Sequence, residues 1–158
     1  MALFLSTFIN KIDSKGRVSV PAQFRQSLNN LALNNLVLNN KDFSGIVIYE
    51  SFVNDCIEGC DIDRIKLLSE SIDNLDPFSE ERDSFATTIL GGAIQISLDS
   101  DGRVILPEAL LKKAKIKDKV VFVGKGPTFE IWQPEKFEIY ASKAKESAKE
   151  KRSLLRLK

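Results

Sequence analysis

The sequence predicts a strand-rich α+β fold built from one short unit used twice. Three observations carry that prediction. A ten-residue segment recurs about half a chain apart, at 12–21 (IDSKGRVSVP) and 98–107 (LDSDGRVILP), sharing Asp-Ser-x-Gly-Arg-Val and a proline four positions past the arginine. Each copy follows a strand-like stretch and precedes a short amphipathic one. Each is then followed by two apolar runs that end in an aromatic, Tyr49 or Trp132. Repetition this dense means a single supersecondary unit present in two copies.

The elements follow in order. Residues 7–12 (TFINKI) and 93–98 (AIQISL) read as strands, the second with clean alternation. Asp13 and Asp99 start turns by folding their carboxylates onto backbone N–H groups two residues on. Gly16 and Gly102 supply the positive φ of a tight hairpin. Val18 and Val20 flank Ser19 in a returning strand, and Pro21 and Pro107 pre-set φ for a first helical turn, where a missing N–H costs nothing. The spacing predicts short helices over 22–28 and 108–115, the latter burying Leu110, Leu111 and Ala114. Two hairpins are expected next, 36–38 with 46–49 and 120–123 with 128–132. A helix candidate follows each, with Phe52 or Phe137 early in it. In the last of these, Phe137, Tyr140 or Ala141, Ala144 and Ala148 form a stripe that predicts packing against the body.

These readings divide the chain, taken as a single domain over 1–158, into repeat 1 at 7–54, an acidic connecting segment at 55–92, repeat 2 at 93–136, and a basic C-terminal helix and tail at 137–158. A unit of about 45 residues buries too little surface to be secure alone. The two repeats are therefore expected to pack as a pseudo-two-fold pair around one core. The Asn-Asn doublets at 29–30, 34–35 and 39–40 read as a solvated connector.

The run from Asp13 to Arg25 (DSKGRVSVPAQFR), its echo at Asp99, and Val123-Gly124 followed by Phe129-Glu-Ile-Trp132 resemble the MraZ family across nearly the whole chain. That resemblance implies two SpoVT-AbrB-like swapped-hairpin repeats in a double-split β-barrel. It also implies a bacterial transcriptional regulator that forms ring-shaped homo-oligomers. Such rings bind double-stranded DNA at promoter direct repeats upstream of the division and cell-wall gene cluster, whose first gene encodes the regulator. The Asp-x-x-x-Arg signature tied to DNA binding in the family falls on Asp13/Arg17 and Asp99/Arg103. One departure stands out. Lys15 of the first turn is Asp101 in the second, so the two turns are not expected to contribute equally.

A net charge of +1 is weak for a nucleic-acid binder, but the average hides a split. Between Glu50 and Phe85 acids far outnumber Arg64, Lys66 and Arg82, whereas Lys11, Lys15, Arg17 and Arg25 face only Asp13 around the first turn. Copies arranged in a ring would concentrate that charge on one face. Arg17, supported by Arg103, is the expected reader of guanine O6 and N7 in a major groove. Lys11, Lys15 and Arg25 are expected on phosphates, and Asp13 is expected to orient the guanidinium. Asp and Arg beside a turn are often no more than a surface pair worth about 0.2–1 kcal/mol. Duplication and the whole-chain resemblance favour the DNA reading.

Other classes fare worse. The chain has no histidine, which excludes histidine-based acid–base catalysis and His-containing metal sites. Cys56 and Cys60 are expected as reduced, partly buried thiols, not a zinc site or disulfide. The acids show no spacing that pairs them for catalysis, and no P-loop pattern is present. No enzyme, cofactor, metal or small-molecule substrate is expected. No apolar run approaches the ~18 residues of a membrane span, and the apolar start lacks the basic residues of a signal peptide. A cytoplasmic, nucleoid-associated protein is the expectation. Two alternatives remain: another AbrB-type regulator or antitoxin with a different operator, and an oligomeric scaffold that engages proteins through its acidic segment without specific DNA binding.

Overall fold

The computed structural model describes residues 2–28 and 45–157. The elements run β1 (Thr7–Lys11), β2 (Arg17–Ser19), α1 (22–28), β3 (Gly45–Glu50), β4 (Ile57–Cys60), α2 (Ile62–Asp73) and α3 (Glu80–Phe85), which continues as one π-helical turn over Ala86–Leu90. They continue β5 (Ile94–Ser97), β6 (Arg103–Ile105), α4 (Glu108–Lys113), β7 (Lys119–Gly124), β8 (Thr128–Trp132) and α5 (Pro134–Glu150). The fold is strand-rich α+β, as expected.

The strand order exposes the internal symmetry. Six strands form one antiparallel sheet in the order β1-β7-β8-β4-β3-β5. That order is a palindrome: β1 and β5, β7 and β3, and β8 and β4 exchange under a two-fold. Each repeat's first strand pairs with the other repeat's hairpin, β1 with β7 and β5 with β3. The hairpins are thus swapped between repeats, which explains why neither half closes its own core. The two-stranded ribbon β2–β6 pairs Val18 with Val104, the same position of the two turn motifs. At the sheet centre Glu58 pairs with Glu130 across the same pseudo-axis.

Phenylalanine fills the space between sheet and ribbon. Phe4, Phe24, Phe122 and Phe129 are fully buried. Phe4 meets Phe24 and Phe129 edge to face at 5.2 and 5.0 Å, the arrangement that ring quadrupoles favour. Gly59 belongs to this packing: a Cβ there would lie 2.4 Å from the Phe129 ring. Val18, Val20, Val104 and Leu106 close the core from the ribbon side.

Three expectations are corrected. Ile46–Tyr49 does lie in a hairpin arm, but its partner is β4, within the stretch read as an acidic connector. The run 36–38 and the Asn doublets lie outside the described residues. The helix expected around Phe52 is instead a turn leading into β4, and the first helix after it starts at Ile62, capped by Asp61 on the N–H of Arg64 at 2.7 Å. The stripe on α5 packs only at its start. Phe137 and Tyr140 lie against Trp132, whereas Ala144 and Ala148 are exposed. The helix leaves the body after its second turn.

Candidate nucleic-acid interface

Each turn is built by one aspartate. In the first, Asp13 Oδ1 accepts the backbone N–H groups of Lys15 and Arg17, both at 2.9 Å, and Oδ2 accepts Nε of Arg17 at 2.9 Å. In the second, Asp99 Oδ1 accepts from Asp101 and Arg103 at 2.9 Å, and Oδ2 accepts Nε of Arg103 at 3.2 Å. The backbone N–H of the arginine is the main cause that holds each aspartate's carboxyl below its ordinary value. The anchored form is thus the charged one.

The glycines close the construction. Gly16 and Gly102 adopt φ of +82° and +76°. Gly16 O accepts the N–H of Leu106 at 2.8 Å, and Gly102 O accepts that of Val20 at 3.0 Å. Each turn is therefore tied to the strand of the other repeat. A Cβ on Gly16 would stand 2.6 Å from the Leu106 carbonyl oxygen.

The ribbon places the arginines. Val18 and Val104 are buried, so alternation puts Arg17, Ser19, Arg103 and Ile105 on the opposite face. Arg17 lies opposite Ile105 and Arg103 opposite Ser19. The two arginines are diagonal neighbours, about 7–8 Å apart at the backbone. A two-stranded ribbon of this kind fits a major groove about 12 Å wide. The expected residues Asp13, Arg17, Asp99 and Arg103 come together on it.

The two turns differ in what their arginines have left to offer. Arg17 meets Asp13 through Nε, which among the described residues leaves both Nη groups for a forked contact. Arg103 is held at Nε by Asp99 and at Nη2 by Asp101, 3.1 Å away. Lys15 is exposed at the tip of the first turn, in the position that Asp101 takes in the second. Lys11 ends β1 beside the first turn and lies directly opposite Lys119 of β7. The corresponding pair near the second turn is Ser97 with Gly45, which carries no charge.

Pairing between repeats adds one residue to the site and moves another. Lys119, far from the first turn in sequence, joins its basic cluster through the β1–β7 register, and exposed Lys117 lies in the loop before it. Only knowledge of the strand swap would have found them. Arg25 moves the other way. Its Nε donates to the Val20 carbonyl at 3.1 Å, and its side chain covers Gly102 of the second turn. It does not join Lys15.

Cys56 and Cys60 are buried and form no disulfide, and burial pushes the Cys60 thiol up to about 12. No cluster of metal-ligating side chains occurs among the described residues. No helix among them is long and apolar enough to cross a membrane.

A family model described as "MraZ protein, putative antitoxin-like" matches residues 89–157. The chain is similar to the transcriptional regulator MraZ of Rickettsia bellii (strain OSU 85-389), with 52% identity over 157 residues, covering 99% of this chain and 98% of that protein. It is 49% identical over 156 residues to the transcriptional regulator MraZ of Rickettsia felis, covering 99% and 98%. The same-named protein of Rickettsia akari is 48% identical over 156 residues, with the same coverage.

Proposed function

The chain belongs to the MraZ family of transcriptional regulators, and from that premise we propose that it binds DNA sequence-specifically through the β2–β6 ribbon. Arg17 makes the base contact. Steadied through Nε by Asp13, its guanidinium offers both Nη groups to O6 and N7 of a guanine. Lys15, Lys11 and Lys119 neutralise phosphates on either side and fix the register without reading sequence. Arg103 has a supporting part, because Asp99 and Asp101 hold two of its nitrogens.

The single observation that carries this reading is the inequality of two turns built alike. Only the first combines an arginine with a free forked edge and a cluster of lysines. Copies joined in a ring present many first turns together, so direct repeats in a promoter are met by several linked contacts. The family implies DNA upstream of the division and cell-wall gene cluster that includes the protein's own gene. Such a regulator works in the cytoplasm, on the nucleoid, and its chemistry is recognition, not catalysis.

The test is an anisotropy titration of two labelled duplexes, the region upstream of the protein's own gene and a shuffled copy. The reading expects the native duplex to bind about 10³-fold tighter or more, with a log–log salt slope near −0.9 per phosphate contacted. Equal affinity for the two duplexes would sink it.

A further inference from the structure

The pseudo-two-fold lets one half of the molecule interpret the other. In the first half, a groove between α1, β1 and the β7–β8 hairpin is filled by the chain's own N-terminal segment. Phe4 inserts there and forms a β-bridge with Gly126, donating to its carbonyl at 2.6 Å and accepting its N–H at 3.0 Å. Ser27 Oγ of α1 donates to the Leu3 carbonyl at 2.9 Å. An extended apolar segment is thus what this groove holds.

Among the described residues, nothing fills the equivalent groove in the second half. Counted from the turns and the sheet registers, Phe24 corresponds to Leu110, Phe8 to Ile94, and Gly126 to Phe52. Leu110, Ile94 and Phe52 line a groove of about 490 Å³, with Ala109 on its α4 wall. The residue matching Phe4 is Leu90, and it packs elsewhere, against the Tyr49, Ile72 and Ile89 cluster. Phe52 is left 57% exposed. Glu50 replaces Gly124 at the rim, where a Cβ on the glycine would lie 2.5 Å from the overlying backbone. A segment docked in the second groove therefore rides higher than Phe4 and meets the Glu50–Lys113 ion pair. Beside it α3, whose Phe85 ring lies 6.1 Å from that of Phe52, adds an acidic border of Glu80, Glu81 and Asp83.

One part of the chain matches that groove in shape and charge. Beyond α5, Leu154, Leu155 and Leu157 are 75%, 81% and 100% exposed, interleaved with basic Arg152 and Arg156. Leu155 already has an extended backbone. The 17 residues of α5 carry this tail about 25 Å from the helix start, so its leucines find no cover among the described residues.

We infer that the C-terminal tail of one copy, residues 152–157, docks as an extended apolar segment in the second-repeat groove of a neighbouring copy. The leucines take the place that Phe4 takes in the first half, and the arginines face Glu50 and the acidic border. The contact is heterologous, tail to groove, so it propagates from copy to copy and closes when the rotation allows. This inference rests on the ring reading and specifies the surface that would build the ring.

Sedimentation velocity on the full chain and two variants tests it. Leu155→Asp with Leu157→Asp disables the tail at exposed positions, and Ala109→Trp blocks the groove from an exposed helix position. Each variant alone should lose the wild-type assembly and sediment as a single chain. Mixed one to one, each supplies what the other lacks, and the mixture should give two-chain particles and nothing larger. An oligomeric wild type whose size is unchanged in the tail variant overturns the docking while leaving the ring reading intact. A wild type that sediments as one chain at every concentration overturns both. A tail variant that assembles normally with the Ala109→Trp protein also overturns it, since that would place the contact elsewhere.

Discussion

Replacing Asp101 by lysine makes the second turn carry the same residue as the first, and it should strengthen DNA binding. Asp101 is suited to the test because its side chain is 71% exposed and its one polar side-chain contact among the described residues is the ion pair to Nη2 of Arg103. Its backbone N–H, which helps build the turn, is untouched. The substitution releases Nη2 and changes the charge at the ribbon tip by two units. At surface separations of about 4 Å in high dielectric, each unit is worth about 1 kcal/mol against a phosphate. The expected gain is therefore about 1–2 kcal/mol, or roughly 5- to 30-fold in affinity. A tip that gains one phosphate contact should also steepen the log–log salt slope by about 0.9. Anisotropy titrations between about 50 and 200 mM salt read both quantities. Because the new contact is to phosphate, native and shuffled duplexes should gain alike. Unchanged affinity and slope in the folded variant would show that the second turn does not face DNA, and the ribbon model would fall with it.

Further predictions concern the frame that holds the ribbon. Gly16→Ala puts a Cβ 2.6 Å from the Leu106 carbonyl oxygen at a φ of +82°; thermal unfolding should show a loss of about 1–3 kcal/mol, and an unchanged midpoint would contradict the assigned turn. Phe24→Ala removes a fully buried ring that contacts Phe4, Phe8, Phe122 and Phe129, and denaturant titration should report a loss of about 3–5 kcal/mol. Asp13 and Asp99 have folded-state carboxyls held below the ordinary 3.8, first by the arginine N–H groups. The stability they lend is therefore complete above that ordinary value and is lost as pH falls through the lowered one. Urea midpoints measured downward from about pH 5 should fall less steeply in Asp13→Asn than in the wild type; parallel curves would contradict this.

What the sequence disclosed and what it withheld follow one line. The turns were legible because their chemistry is local: an aspartate two and four residues from the N–H groups it binds, a glycine at positive φ, and a proline opening a helix. The β7–β8 hairpin and α4 were legible by the same token. The partner of β3 was not. Ile57–Cys60 is short, contains Glu58 and Gly59, and owes its glycine to a ring from the other repeat. The apolar run at 36–38 was the nearer candidate by pattern alone. Lys119 was missed and Arg25 misplaced for a related reason. Their neighbours are set by the swap between repeats, and no local signal records which hairpin a strand will join. On α5 the stripe was real, but a helical stripe does not say where the body ends.

The measurement closest to the central claim is the affinity of Arg17→Ala for the native and shuffled duplexes, run beside Arg103→Ala. The free forked edge of Arg17 predicts that its loss costs about 1–3 kcal/mol on the native duplex, roughly 5- to 150-fold, and much less on the shuffled one. Arg103→Ala, already tied to two carboxylates, should cost less on both. A folded Arg17→Ala protein that binds the native duplex as tightly as the wild type would contradict the account.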